Sequence, residues 1–170
     1  CSVPSADASG ARTEHRCEPA HADTHARAHT GAAEPLTGAR VARRGVSRPV
    51  VCLGELVVDV FDCGPEVPGG APSNVAYHAA SLGVPAQILS RVGNDEYGAM
   101  LRRWVAESGV DAAGLQTDAA WPTGTVLVNT RTPGAPTYEI PMPAAYDMFE
   151  ADAAAMGRVE AASVVVFGTS

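Results

Sequence analysis

Asp59, Gly69, Gly70 and Asn74 are the residues of this chain whose types and spacing suit the holding of a sugar. Each sugar hydroxyl both donates and accepts a hydrogen bond. A carboxylate accepts from two neighbouring hydroxyls, and a carboxamide both donates and accepts. Glycines let backbone N–H groups approach a ligand closely. Taken singly, each residue has a plainer reading. Asp59 is then a solvated strand-end acid, Gly69-Gly70 a tight turn, and Asn74 a first-turn residue that helps to cap a helix. Together and in this order, they read as a binding set.

Such a set needs elements that end at one edge. Residues 50–53 are a short apolar run stopped by Gly54 and read as a buried strand, with 56–61 continuing extended. Gly64, Pro65, Pro68, Gly69 and Gly70 punctuate a loop. A helix is expected over 73–82, with Ser73 as N-cap and Gly83 as the C′ residue. Residues 86–92 form the next strand. Asp95 opens a second helix, with Met100, Leu101, Trp104 and Val105 on one face and Gly109 at its end. Residues 125–129 and 137–141 read as strands joined by a turn near Pro133 and Gly134. A helix over 151–159 and a buried strand over 163–167 follow. The alternation of strand and helix predicts an α/β fold with a parallel sheet. Asp59, Gly69, Gly70 and Asn74 would converge near the C-terminal edge of that sheet, where ligands bind in this architecture. The chain stops on a strand with no following helix, so the sequence reads as cut rather than finished.

Composition bounds the function classes. With 170 residues, 46% of them apolar, the chain is long enough for one domain with a core. Its longest apolar runs fall far short of the roughly 20 residues that cross a bilayer. The net charge is −7, and all twelve basic residues are arginines. A nucleic-acid surface needs clustered positive charge, and Schiff-base or P-loop chemistry needs lysine, so these classes are set aside. Cys1, Cys17, Cys52 and Cys63 form no C-x-x-C pair and suggest no disulfide framework, so a reducing, cytoplasmic setting is expected. Residues 1–48 are rich in small and polar residues and are expected to be a disordered tail or a targeting extension, the latter implying an organelle. Cys17, His21, His25 and His29 recur every fourth residue there. On a helix their three steps span roughly 18 Å, too far for one metal ion, and the low-complexity reading is preferred. Residues 49–170 make up the folded domain.

The run Gly69-Gly70-Ala71-Pro72-Ser73-Asn74-Val75-Ala76 resembles the N-terminal signature of the PfkB family of carbohydrate kinases. Flanking pieces agree: Gly54-Glu55-Leu56 with Asp59, Leu82-Gly83-Val84-Pro85, Ser90 to Gly98, Ser108-Gly109-Val110-Asp111 and Pro122-Thr123-Gly124-Thr125. The match covers about 50–170, and its Gly-Gly-Ala-Pro-x-Asn form and Gly-Glu opening look most like fructokinases. The resemblance implies a ribokinase-like three-layer α/β sandwich with a small β-lid. It also implies transfer of a phosphoryl group from ATP, with Mg2+, to a sugar hydroxyl. Asp59, Gly69, Gly70 and Asn74 would bind the sugar. A hairpin at about 123–142 would form the lid, with Tyr138 lining it, and would serve a homodimer interface. The family's catalytic aspartate and anion hole lie in an Asp-Thr-x-Gly-Ala-Gly-Asp type motif, which these residues do not contain. No catalytic, nucleotide or metal residue is therefore assigned, and Asp95, Asp111, Asp147 and Asp152 are not promoted to that role. The expectation is the sugar-binding half of a kinase, inactive alone. The alternative is a non-catalytic sugar-binding or interaction module. A dinucleotide-binding oxidoreductase is set aside, because no G-x-G-x-x-G follows the first strand.

Overall fold

In the computed structural model, which describes residues 48–132 and 134–168, the apolar run Val50–Leu53 forms strand β1. Val51 and Cys52 point to opposite faces, and both are fully buried. A strand covered on both faces belongs to the middle of a parallel sheet. β1 pairs in parallel with Ala86–Gly93 (β4) on one side and Val164–Phe167 (β8) on the other. β4 pairs in parallel with Asp111–Asp118 (β5), giving the order β5-β4-β1-β8. All described residues lie within a single compact unit.

Helices cover both faces. Ala71–Ser81 (α1) and Glu96–Glu107 (α2) contribute Ala76, Leu101 and Val105 to a core with Cys52, Ile88 and Val92. Ala153–Ala161 (α3) sets Ala155 against Val51 and Leu89 on the other face. Burial of a side chain such as Leu101 or Ile88 contributes about 1.5–3 kcal/mol. The layers are helix, sheet, helix, as expected for the α/β class. No helix among the described residues is long and apolar enough to cross a membrane.

A second sheet stands beside the first. It joins Glu66–Gly69 (β3), Val57–Phe61 (β2), Thr125–Asn129 (β6) and Thr137–Glu139 (β7) in the order β3-β2-β6-β7. β2 and β6 run parallel, and the outer pairs are antiparallel. The strand read over 125–129 is present and the one read over 137–141 ends at Glu139, and β2 and β3 extend that hairpin into a four-stranded sheet.

The structure corrects several local expectations. Residues 66–69 are a strand rather than a loop, because Pro68 sits on a sheet edge where its missing N–H breaks no ladder. Residues 111–118, whose sequence announces no element, pair along β4. α1 starts at Ala71, with Gly70 rather than Ser73 as N-cap. Pro72 in the first turn suits a helix start. The Ser73 hydroxyl instead donates back toward the Gly69 and Gly70 carbonyls at 2.7 and 2.8 Å. α2 follows the expectation closely: Asp95 caps it, and Gly109 lies just beyond its end with φ +75°.

Cys52 is buried among apolar side chains, and burial pushes its thiol up to about 11. Cys63 is disulfide-bonded, which corrects the expectation of no disulfide framework. The Cys17, His21, His25 and His29 series also lies outside the described residues.

Candidate functional site

β2 leaves the end of β1 through Gly54, Glu55 and Leu56 and carries Asp59 at its centre. Side chains alternate along a strand, so Val58 enters the main core while Val57 and Asp59 share the opposite face. β3 returns alongside and places Gly69 opposite Val57. The Asp59 carboxylate leans over this glycine: a β-carbon built there would lie 2.6 Å from Asp59 Oδ2 and 2.9 Å from Oδ1. Only the absence of a side chain at Gly69 leaves room for it.

Gly70 follows with φ +109°, in the left-handed half of backbone space that favours glycine. A β-carbon at Gly70 would also collide with the Glu55 carbonyl oxygen. From Gly70 the chain turns directly into α1, and the Asn74 N–H donates to the Gly70 carbonyl at 3.0 Å. The Asn74 side chain is exposed and makes no hydrogen bond with the described residues. Contacts thus run from Asp59 to Gly69, through Gly70, to Asn74.

Asp59 is half-buried, and its carboxylate accepts no hydrogen bond from the described residues. Burial raises its pKa above the ordinary 3.8, with no partner opposing the shift. Such an acceptor suits a pair of hydroxyl donors.

Other carboxylates are committed to backbone. Asp95 accepts from Gly98 N at 2.7 Å, Thr123 Oγ1 at 2.6 Å and Thr123 N at 2.8 Å. Burial alone would raise its pKa, but the Thr123 and Gly98 hydrogen bonds hold it below the usual range. Asp111, Asp147 and Asp152 accept from Ala113 N, Ala144 N and Ala155 N respectively. Tyr138, read as a lid residue, is 65% exposed on β7.

Two further residues adjoin the set: Glu55, which the sequence offers only within the Gly54-Glu55-Leu56 motif, and Tyr146, which has no signature there. Glu55 reaches the start of α1, with Oε1 accepting from Ala71 N at 3.1 Å. The Tyr146 ring lies over Gly124 and beside Val57, on the same face of β2 as Asp59. A β-carbon on Gly124 would stand 2.6 Å from that ring and 3.0 Å from Val57. Nothing local to residue 146 announces this placement.

The family model described as pfkB family carbohydrate kinase matches residues 50–170. The fructokinase of Klebsiella pneumoniae is 37% identical over 101 residues, covering 57% of this chain and 33% of that protein. The crystal structure of an uncharacterised sugar kinase of Pyrococcus horikoshii in complex with ATP superposes with a TM-score of 0.62 at 29% identity. That match covers 70% of this chain and 42% of the other. A fructokinase from Vibrio cholerae O395 with fructose, ADP and calcium ion bound gives a TM-score of 0.52 at 32% identity, covering 58% and 34%. The chain spans about a third of the length of the curated relatives it matches. The ribokinase-like α/β arrangement expected from the motifs agrees with these structures. This chain belongs to the pfkB family of carbohydrate kinases.

Proposed function

We propose that this chain carries the sugar-binding half of an ATP-dependent sugar kinase, with fructose the first sugar to test. The observation that carries this reading is the half-buried Asp59 carboxylate, which lies against the bare backbone of Gly69 and accepts no hydrogen bond from the described residues. Gly70 and Asn74 continue the same surface. A site of this kind discriminates by hydroxyl pattern, because a sugar lacking one hydroxyl leaves a buried acceptor unpaired.

Phosphoryl transfer needs an aligned donor phosphate, charge stabilisation and a base near the acceptor hydroxyl. These residues do not fit a site for ATP and Mg2+: they include no lysine and no Asp-Thr-x-Gly-Ala-Gly-Asp type motif. Asp95, Asp111, Asp147 and Asp152 each hold backbone N–H groups. No chemical step is assigned to this chain, whose part is to bind and orient the sugar.

The test is calorimetric titration of D-fructose into the wild-type protein and Asp59→Ala. Asp59→Ala is expected to weaken binding about 100-fold. Equal affinity in the two proteins would refute the assignment. The 170-residue chain alone is expected to bind without turning the sugar over. Fructose 6-phosphate formed by it alone would overturn the half-site reading.

A homodimer is part of this proposal. Tyr138, Ile140 and Met142 are exposed on and beside β7, an apolar surface that a second copy would cover. Sedimentation velocity on Tyr138→Ser should show a shift toward monomer.

A further inference from the structure

The start of α1 lacks the usual means of satisfying its first N–H groups. Gly70, the N-cap, has no side chain, and the first turn holds no acidic residue. Pro72 has no N–H to satisfy. Ser73 points its hydroxyl backward as a donor, so it is no acceptor for the helix start. The Asn74 N–H is taken by the Gly70 carbonyl. Of the N–H groups that remain, that of Ala71 finds its partner in another element: Glu55 Oε1 at 3.1 Å, sixteen residues upstream.

Glu55 holds this corner twice. Its backbone carbonyl packs against the Cα of Gly70 so tightly that no β-carbon fits, and its carboxylate takes the next N–H along the chain. Four residues later, Asp59 leans on Gly69. The segment from Glu55 to Asp59 therefore grips the glycine pair from both ends, with one acid facing each glycine. The two acids have different duties. Asp59 takes no hydrogen bond from the described residues, while Glu55 complements the positive end of α1.

We propose that Glu55 is a positioning residue of the sugar site: by anchoring the first N–H of α1, it fixes Gly69, Gly70 and Asn74 relative to Asp59. This rests on the reading of those residues as the sugar site. Glu55 does not touch the sugar. It acts through the helix start that carries Asn74 and through the loop whose backbone the sugar meets.

The experiment uses two variants of similar length in the whole protein. Glu55→Gln keeps an acceptor oxygen, and Glu55→Met removes it at nearly constant volume. Amide exchange at Ala71, followed by NMR, reads the anchor without any sugar. The anchor predicts that Ala71 exchanges about tenfold faster in Glu55→Met but not in Glu55→Gln, while core amides of α1 stay protected. D-fructose affinity, by calorimetry, should fall about tenfold in Glu55→Met and recover in Glu55→Gln. Unchanged Ala71 exchange in Glu55→Met overturns the anchor, whatever the sugar does. Faster exchange with unchanged fructose affinity, while Asp59→Ala weakens binding as expected, leaves the site reading standing and overturns the positioning role. If neither D-fructose nor D-ribose binds the wild type, the site reading falls and the positioning role with it. Should Glu55→Met melt before wild type at the working temperature, Glu55→Ser, whose shorter side chain cannot reach Ala71, replaces it with the same expected outcomes.

Discussion

Two aspartates in this chain each face a glycine: a β-carbon on Gly69 would lie 2.6 Å from Asp59 Oδ2, and one on Gly93 would lie 2.5 Å from Asp95 Oδ2. Around Asp95 the protein provides every donor. Gly98 N, Thr123 N and Thr123 Oγ1 all point at the carboxylate, and Gly93 N completes the knot by donating to Thr123 Oγ1 at 2.9 Å. Around Asp59 no donor comes from the described residues, and burial has only raised its pKa. A partly buried carboxylate without donors costs stability, whereas one saturated by backbone N–H groups stabilises the fold. The first kind of site is suited to a ligand that brings its own donors, and the second to holding a strand end against a loop.

The largest expected effect is a crossed pair of losses. Asp59→Ala should cost about 100-fold in D-fructose affinity while thermal stability holds or rises slightly. Asp95→Ala should cost about 2–3 kcal/mol of stability in chemical denaturation, through three lost hydrogen bonds, one of them the N-cap of α2, with affinity retained in the folded protein. If both variants lose stability alike, the division between the two sites collapses.

The facing glycines sharpen the comparison at a smaller scale. A β-carbon on Gly93 would press on the backbone at Thr123 N and Trp121 O, which cannot step aside. Gly93→Ala should therefore destabilise by about 1–3 kcal/mol in the same assay. A β-carbon on Gly69 meets the movable end of Asp59. Gly69→Ala should leave the melting temperature nearly unchanged and lower fructose affinity about tenfold by displacing the carboxylate.

The smallest effect is in pH dependence, and its sign differs between the sites. The folded-state pKa of Asp59 is raised, so its contribution favours folding most below the unfolded value and is lost as pH rises through the folded one. Asp59→Asn should then show a slightly higher melting temperature at neutral pH, with the gain fading below about pH 4. The folded-state pKa of Asp95 is lowered, so its stabilisation is present above the unfolded value and is lost as pH falls through the folded one. Asp95→Asn should flatten the acid limb of the stability curve. Melting curves from about pH 3 to 7 distinguish the two signs.

Legibility followed the range of the interactions. Both ends of α2 were readable because Asp95 and Gly109 act within a turn of the helix they bound. The start of α1 was misplaced by two residues because its cap comes from Glu55, sixteen residues away. Residues 66–69 read as loop because proline and glycine dominate them, yet an edge position in the second sheet tolerates both. Asp111-Ala112-Ala113-Gly114 has little intrinsic preference for a strand, and pairing with β4 decided it. Asp59, Gly69, Gly70 and Asn74, the proposed sugar set, stand out in the sequence as a motif, and the fold brings them into one run of contacts. The Tyr146 ring against Gly124 was not legible, because its neighbours come from β2 and the start of β6.

By itself, the sequence determined the alternation of strand and helix, the burial of β1 on both faces and the motif that places the chain in its family. These follow from apolar runs, glycines and caps that act over a few residues. Only the tertiary structure decided which carboxylate is satisfied and which is left open. Asp95 is saturated because Thr123, twenty-eight residues later, is brought against it by the packing of the β6 approach on the end of β4. Asp59 stays open because the strand beside it ends in a glycine with no side chain to offer. Both outcomes depend on which distant donors come within hydrogen-bond reach, and strand pairing sets that distance.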